Sequence, residues 1–275
     1  MPAELSGNGS GPRDAATGAV TPESPGSAGG GIEFRGVGKR FGAVVALRGI
    51  DFSIERHSRI GIVGPSGGGK STLLHIVAGL MEPDTGEVTV EGACTASERL
   101  ARCALMPQRD LLLPWRTALD NATIALENRG VSRAAARKQT RPLFERFGLA
   151  TFEDVRPGQL SGGMRQRVSF LRTLVADKGV LLLDEPFGAL DSITRAQMQE
   201  WLLRAMGEVP RTVLLVTHDV EEALLLSKVV VVLSARPGRV VRVLTADFPT
   251  DAPRREIVTS PAFVALKEQA LEAIE

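Results

Sequence analysis

Eight consecutive residues, Gly64-Pro65-Ser66-Gly67-Gly68-Gly69-Lys70-Ser71, hold the densest chemistry in this chain. Glycines let a backbone wrap so closely that successive N–H groups aim at one anion. Lys70 adds a full positive charge for outer phosphates, and the Ser71 hydroxyl is a hard ligand suited to Mg²⁺. The apolar run Arg59-Ile60-Gly61-Ile62-Val63 before the loop reads as a buried strand. Ser71 to Leu80, ended by Gly79 and the Pro83 beyond, reads as a helix whose positive end faces the loop. Strand, loop and helix together predict a nucleoside triphosphate site formed by the loop and Thr72. Farther on, Leu181-Leu182-Leu183-Asp184-Glu185 sets two carboxylates where a buried strand ends. Asp184 is placed to hold Mg²⁺, directly or through water, and Glu185 to polarise an attacking water as general base.

A second glycine pair lies in Leu160-Ser161-Gly162-Gly163-Met164-Arg165-Gln166-Arg167. Ser161 is a natural N-cap, and Gly162 and Gly163 open the backbone at a helix start, which makes a second anion site in one chain. With these motifs in this order, the chain resembles an ATP-binding cassette (ABC) ATPase from about Ile32 to the C-terminal helix. The resemblance implies that Ser161, Gly162 and Gly163 close over the γ-phosphate of ATP held by a second subunit. It also matches Gln108 to a glutamine that senses Mg²⁺ and water. By the same match, Asp191 is an aspartate at the dimer seam and His218 a switch histidine on the γ-phosphate. The family usually stacks an aromatic residue, often Tyr, on the base. This chain has no Tyr, and Phe41 is the candidate, with a core Phe as the alternative. His57, His75, Trp115 and Trp201 receive no catalytic role.

Two further segments narrow the branch. Arg109-Asp110-Leu111-Leu112-Leu113-Pro114-Trp115, followed by Leu119-Asp120-Asn121, is similar to the corresponding part of nitrate, sulfonate and taurine importers. Glu185 to Asp191 and Ser234-Ala235-Arg236-Pro237-Gly238-Arg239 agree with it, while importers of thiamine-precursor pyrimidines share similar segments. The resemblance implies ATP and Mg²⁺ as cofactors and a second ATPase subunit, most simply a homodimer. It further implies separate transmembrane permease subunits and, indirectly, an extracytoplasmic substrate-binding protein. The expected location is the cytoplasmic face of the cell membrane, reached through the permease. A non-transport cassette is the remaining alternative. A chromosome or repair ATPase would carry a long heptad insertion, whereas the insert here is short and contains Pro142.

Composition agrees with this. With 33 Lys and Arg against 32 Asp and Glu, net charge gives no push toward nucleic acid. No apolar run approaches the roughly 18 residues of a membrane span, and no secretory signal is visible. Cys94 and Cys103 read as reduced thiols.

The elements that must position these residues form an α/β P-loop NTPase (RecA-like) core over residues 32–275, with a small antiparallel β subdomain and an inserted α-helical subdomain at about 109–176. Residues 1–31, rich in Gly, Pro and Ser, read as a disordered tail. Ile32 to Ile54 alternates as antiparallel strands. In the insert, helices are expected from Leu119 to Leu126 and from Arg133 to Phe147. The second is capped by Ser132 and kinked or split at Pro142. Its basic run, Arg129 to Phe147, reads as a solvated face or a docking surface. Val180 to Leu183, Val213 to Val216 and Val229 to Leu233 read as parallel strands buried on both faces. Helices Ser192 to Met206 and Val220 to Leu226 separate them. Ser260-Pro261 opens a last helix that buries Phe263, Leu266, Ala270 and Ile274.

Overall fold

A computed structural model describes residues 30–275 except 189, 209, 250 and 251. The expected tail therefore lies outside the described residues, apart from its last two glycines. Gly31 is already tied to the sheet: its N–H donates to the Ile54 carbonyl at 3.1 Å and its carbonyl accepts from the Glu91 N–H.

Two sheets carry the chain. Strands β1 (Ile32–Phe41), β2 (Val44–Ile54) and β4 (Thr85–Val90) form an antiparallel sheet in the order β2-β1-β4. The second sheet contains β3 (Arg59–Val63), β5 (Cys103–Met106), β6 (Val180–Asp184), β7 (Thr212–Val216), β8 (Val229–Leu233) and β9 (Val240–Thr245). Its order is β5-β6-β7-β3-β8-β9, parallel except where β9 returns antiparallel along β8.

The continuous apolar runs of the central strands follow from two separate cores. Val180 and Leu182 of β6 enter the core under the antiparallel sheet, while Leu181 and Leu183 enter the core under the helical insert. In β7, Leu214 and Val216 take the first side, Val213 and Leu215 the second. Side chains alternate between faces along a strand, so a sheet covered on both sides needs an apolar residue at every position. Helix α1 (Lys70–Val77) fills the first core with Leu73, Leu74, Ile76 and Val77. Between it and β5 lies α2 (Ala96–Arg102).

The insert between β5 and β6 holds α3 (Ala118–Ala122), α4 (Ile124–Glu127), α5 (Arg133–Arg146) and α6 (Gly162–Val175). The single helix expected over Leu119 to Leu126 is two short ones that meet at Thr123. Pro142 does not split α5, which runs unbroken through it. Proline removes one bond to the carbonyl of Lys138, and both residues are exposed, so water can take that carbonyl. The opposite stripe, Ala136, Thr140 and Phe144, is buried and holds the helix in place.

The basic run is largely neutralised within the chain. Arg133 and Arg137 both bond the fully buried Asp120, Arg137 also bonds Asp154, and Arg141 bonds Glu153. Phe147, Phe170 and Trp201 then join α5 and α6 to α7 (Ser192–Glu208), with the Phe147 and Trp201 rings 3.8 Å apart. Helices α8 (Val220–Leu226), α9 (Arg254–Val258) and α10 (Pro261–Ile274) close the chain. Phe263 and Ala270 of α10 are buried, and Leu266 and Ile274 pack beside them.

Candidate functional site

Register places the chemistry. Met106 of β5 pairs with Leu183 of β6, Asp184 pairs with Val216 of β7, and Ile62 of β3 also pairs with Val216. The carboxyl ends of four neighbouring parallel strands are therefore level. Each loop leaving them opens at the same edge, where ligands bind in open α/β sheets.

From β3 the chain enters the glycine loop. Gly69 has φ +86, and a Cβ there would lie 2.5 Å from Leu47 Cδ2. Only glycine fits both the left-handed backbone and that contact. Lys70 is buried, and its ammonium donates to the carbonyls of Gly64 at 2.8 Å and Pro65 at 2.9 Å. Burial lowers its pKa, and the charges of Glu185 and Asp184 act against that. Ser71 Oγ donates to Asp184 Oδ1 at 3.1 Å. Burial raises the Asp184 pKa, opposed by the Ser71 bond. A hydroxyl and a carboxylate side by side are hard oxygen donors. They fit Mg²⁺, which is held by one or two protein ligands while phosphates and water supply the rest.

Glu185 follows at the strand end with φ +44, an uncommon backbone for a residue with a side chain. Its N–H donates to the Val216 carbonyl. Its Oε2 accepts from Gln108 Nε2 at 2.8 Å, and its Oε1 lies 3.3 Å from His218 Nδ1. The loops after β5, β6 and β7 thus meet on one carboxylate. With its amide nitrogen used on Glu185, Gln108 has only its oxygen for a metal.

A cleft of about 320 Å³ runs along this edge, lined by the phosphate loop with Thr72, Gln108 and Glu185. Its far wall is Phe41, Val44 and Ala46. Phe41 is 47% exposed, so it is not a core residue, and its ring borders the cleft with the Lys39 ammonium 5.9 Å from the ring centroid. Arg236, Val44 and Ala46 had no role in the sequence reading. Val44 and Ala46 lie on one face of β2 and are visible by alternation. Arg236 arrives from the turn between β8 and β9, which no local pattern connects to the loop.

Ser161, Gly162, Gly163 and Asp191 do not line this cleft. Ser161 Oγ accepts the Met164 N–H at 3.2 Å and caps α6, and Gly162 is exposed. Gly163 meets the start of α7, where an added Cβ would lie 3.0 Å from Thr194 Cγ2. Asp191 Oδ1 accepts the N–H groups of Ile193 and Thr194. Buried Gln166 donates to the Pro186 carbonyl and ties α6 to the loop after Glu185. The chain therefore presents a phosphate loop with its carboxylates in one place and a second helix N-terminus in another.

The profile of the family described as "ABC transporter" matches residues 47–188. The chain belongs to the ABC transporter family. It is 37% identical over 249 residues to a protein named taurine import ATP-binding protein TauB from Pseudomonas syringae pv. tomato, covering 88% of this chain and 95% of that one. A protein of the same name from Chromobacterium violaceum is 43% identical over 230 residues, covering 82% and 88%. Among solved structures, the ATP-binding cassette MJ0796, a dimer in a post-hydrolysis state bound to ADP and Pi, superposes with a TM-score of 0.71 at 29% identity. That alignment covers 79% of this ABC chain and all of MJ0796. The cbiO1 subunit from Clostridium perfringens superposes at 0.73 with 22% identity and shares the fold.

Proposed function

We propose that this chain is the ATP-binding and ATP-hydrolysing subunit of an ABC importer, working as a dimer beneath a separate membrane permease. The observation that carries the reading is the convergence of Lys70, Ser71, Gln108 and Glu185 on one cleft, with Asp184 bonded to Ser71 and His218 beside Glu185. Loop N–H groups and Lys70 hold the phosphate chain, and Phe41 takes the base. Ser71, Asp184 and the Gln108 oxygen would hold Mg²⁺, directly or through water, and the ion would supply charge neutralisation at the outer phosphates. Glu185 accepts a proton as water attacks the γ-phosphorus, the bond from that phosphorus to the bridging oxygen breaks, and ADP keeps the oxygen while inorganic phosphate is released. His218, within reach of Glu185, contacts the γ-phosphate and orients the base.

Ser161, Gly162 and Gly163, exposed or half-buried away from the cleft, complete the site of a second copy, with Asp191 at the seam. ATP then binds the closed dimer better than the open one, and hydrolysis releases it. Among the described residues no helix is long and apolar enough to cross a membrane. Leu111 and Trp115 on the insert are 59% and 69% exposed, an apolar surface suited to a partner. The TauB relatives support cargo of the taurine and sulfonate type. An extracytoplasmic binding protein delivers it, and the chain works at the cytoplasmic face.

Glu185→Gln tests the chemistry. Turnover should fall about 10²- to 10⁴-fold, with an ATP-bound dimer accumulating on gel filtration. Turnover within twofold of the parent removes Glu185 from the role of base.

A further inference from the structure

The turn Ser234-Ala235-Arg236-Pro237-Gly238-Arg239, between β8 and β9, takes no part in the chemistry above, yet it is pressed against the phosphate loop. The Gly238 N–H donates to the Ala46 carbonyl at 2.9 Å, and the Arg48 N–H donates to the Gly238 carbonyl at 3.0 Å. A Cβ on Gly238 would stand 2.1 Å from the Gly68 carbonyl oxygen, so turn and loop touch backbone to backbone. Ser234 Oγ braces the turn from within, close to the Pro237 carbonyl at 3.0 Å and accepting the Arg239 N–H at 3.1 Å.

This braced turn carries Arg236 to the rim of the cleft, where it joins Lys70 and Ser71 in the lining. Its Nε meets the Gly67 carbonyl at 3.4 Å, and Nη2 lies 3.2 Å from where a Cβ of Gly67 would be. The side chain is exposed, and among the described residues no carboxylate pairs with it. A guanidinium presents five N–H donors in a planar fork that matches phosphate oxygens. One fixed beside a phosphate cradle without an acidic partner has donors left for the ligand.

We infer that Arg236 is a second cationic ligand of the nucleotide's phosphate chain, reaching it over Gly67 from the outer rim while Lys70 acts from inside the loop. This rests on the nucleotide-site reading above. Contact with Gly67 places the guanidinium at the phosphate end of the cleft. The base end is marked by Phe41 and Val44.

Calorimetric titration of the full chain with ATP and ADP, at two salt concentrations, decides it. Arg236→Ala should weaken ATP binding about tenfold, the scale of one charge-assisted bond, and flatten the salt dependence. Arg236→Lys, which keeps charge and loses the fork, should recover part of the affinity. Unchanged ATP affinity in Arg236→Ala overturns the inference. So does an equal loss in both variants with the salt dependence intact, which marks a prop for Gly67. The parent and Lys70→Ala keep the two readings apart. A parent that binds no ATP removes the nucleotide site itself. A parent that binds, with loss in Lys70→Ala and none in Arg236→Ala, removes Arg236 alone.

Discussion

Carboxylates of this chain differ because their surroundings do. Hydrogen bonds from Thr194 hold the exposed Asp191 below the usual carboxylate range. Burial raises Asp184, and burial with the nearby Asp219 charge pushes Glu222 up to about 8. Glu222 sits in the first turn of α8, and its Oε1 is buried without a hydrogen-bond partner among the described residues. An unfolded glutamate titrates near 4.3, so between roughly pH 4.3 and 8 the folded chain holds a proton that the unfolded chain has lost. Stability should fall across that window and level off above it. Glu222→Gln, which never ionises, should remove that part of the decline, as read from urea midpoints at pH 5, 7 and 8. A slope identical to the parent's would show that Glu222 does not carry it. Nothing in the sequence distinguishes Glu222 from Glu221 beside it. Helical position turns one inward and leaves the other to Arg254 and Lys267.

Among elements, helix starts were the most legible parts, because a cap is local. Ser132, Ser161 and Ser260 each accept an N–H from the third residue onward. The same signal is present at Thr95, whose capping box with Glu98 opens α2. Strand β5 has only four residues, and β9 keeps mixed exposure as the last strand of its sheet, so neither has a decisive period.

The insert depends on a clamp that spacing does not reveal. Burial alone pushes the Asp120 carboxyl up, yet bonds from Arg133 and Arg137 outweigh it and hold it at about 2. A lowered carboxylate stabilises above its unfolded value, near 3.9, and the gain is lost as pH falls toward 2. The shift corresponds to at most about 2 kcal/mol, since Arg133 is largely exposed and screened. Asp120→Asn should therefore lower the urea midpoint at pH 7 and flatten the acid limb. An unchanged midpoint would leave the clamp without energetic weight.

For the whole molecule, the proposed sharing of two half-sites between copies allows a complementation experiment. Lys70→Ala damages the cradle, and Ser161→Glu sets a like charge against the γ-phosphate. Each variant alone should be nearly inactive. Mixed, they form heterodimers with one intact site and one doubly damaged, and ATPase activity should return to about a quarter of the parent's on random pairing. A mixture as silent as its components would argue against sharing of sites across the seam.

Sequence by itself determined the motifs, their order, the strand–loop–helix frame and the helix caps, because each rests on neighbours along the chain. It also pointed to central strands covered on both faces, since short unbroken apolar runs between helical stretches suit a parallel sheet buried on both sides. Tertiary structure alone decided that Gln108 and His218 meet on Glu185, that Asp120 absorbs two arginines, and that Arg236 stands over Gly67. Those contacts join residues far apart in the chain, and strand register and the packing of one backbone on another, rather than local propensity, bring them together.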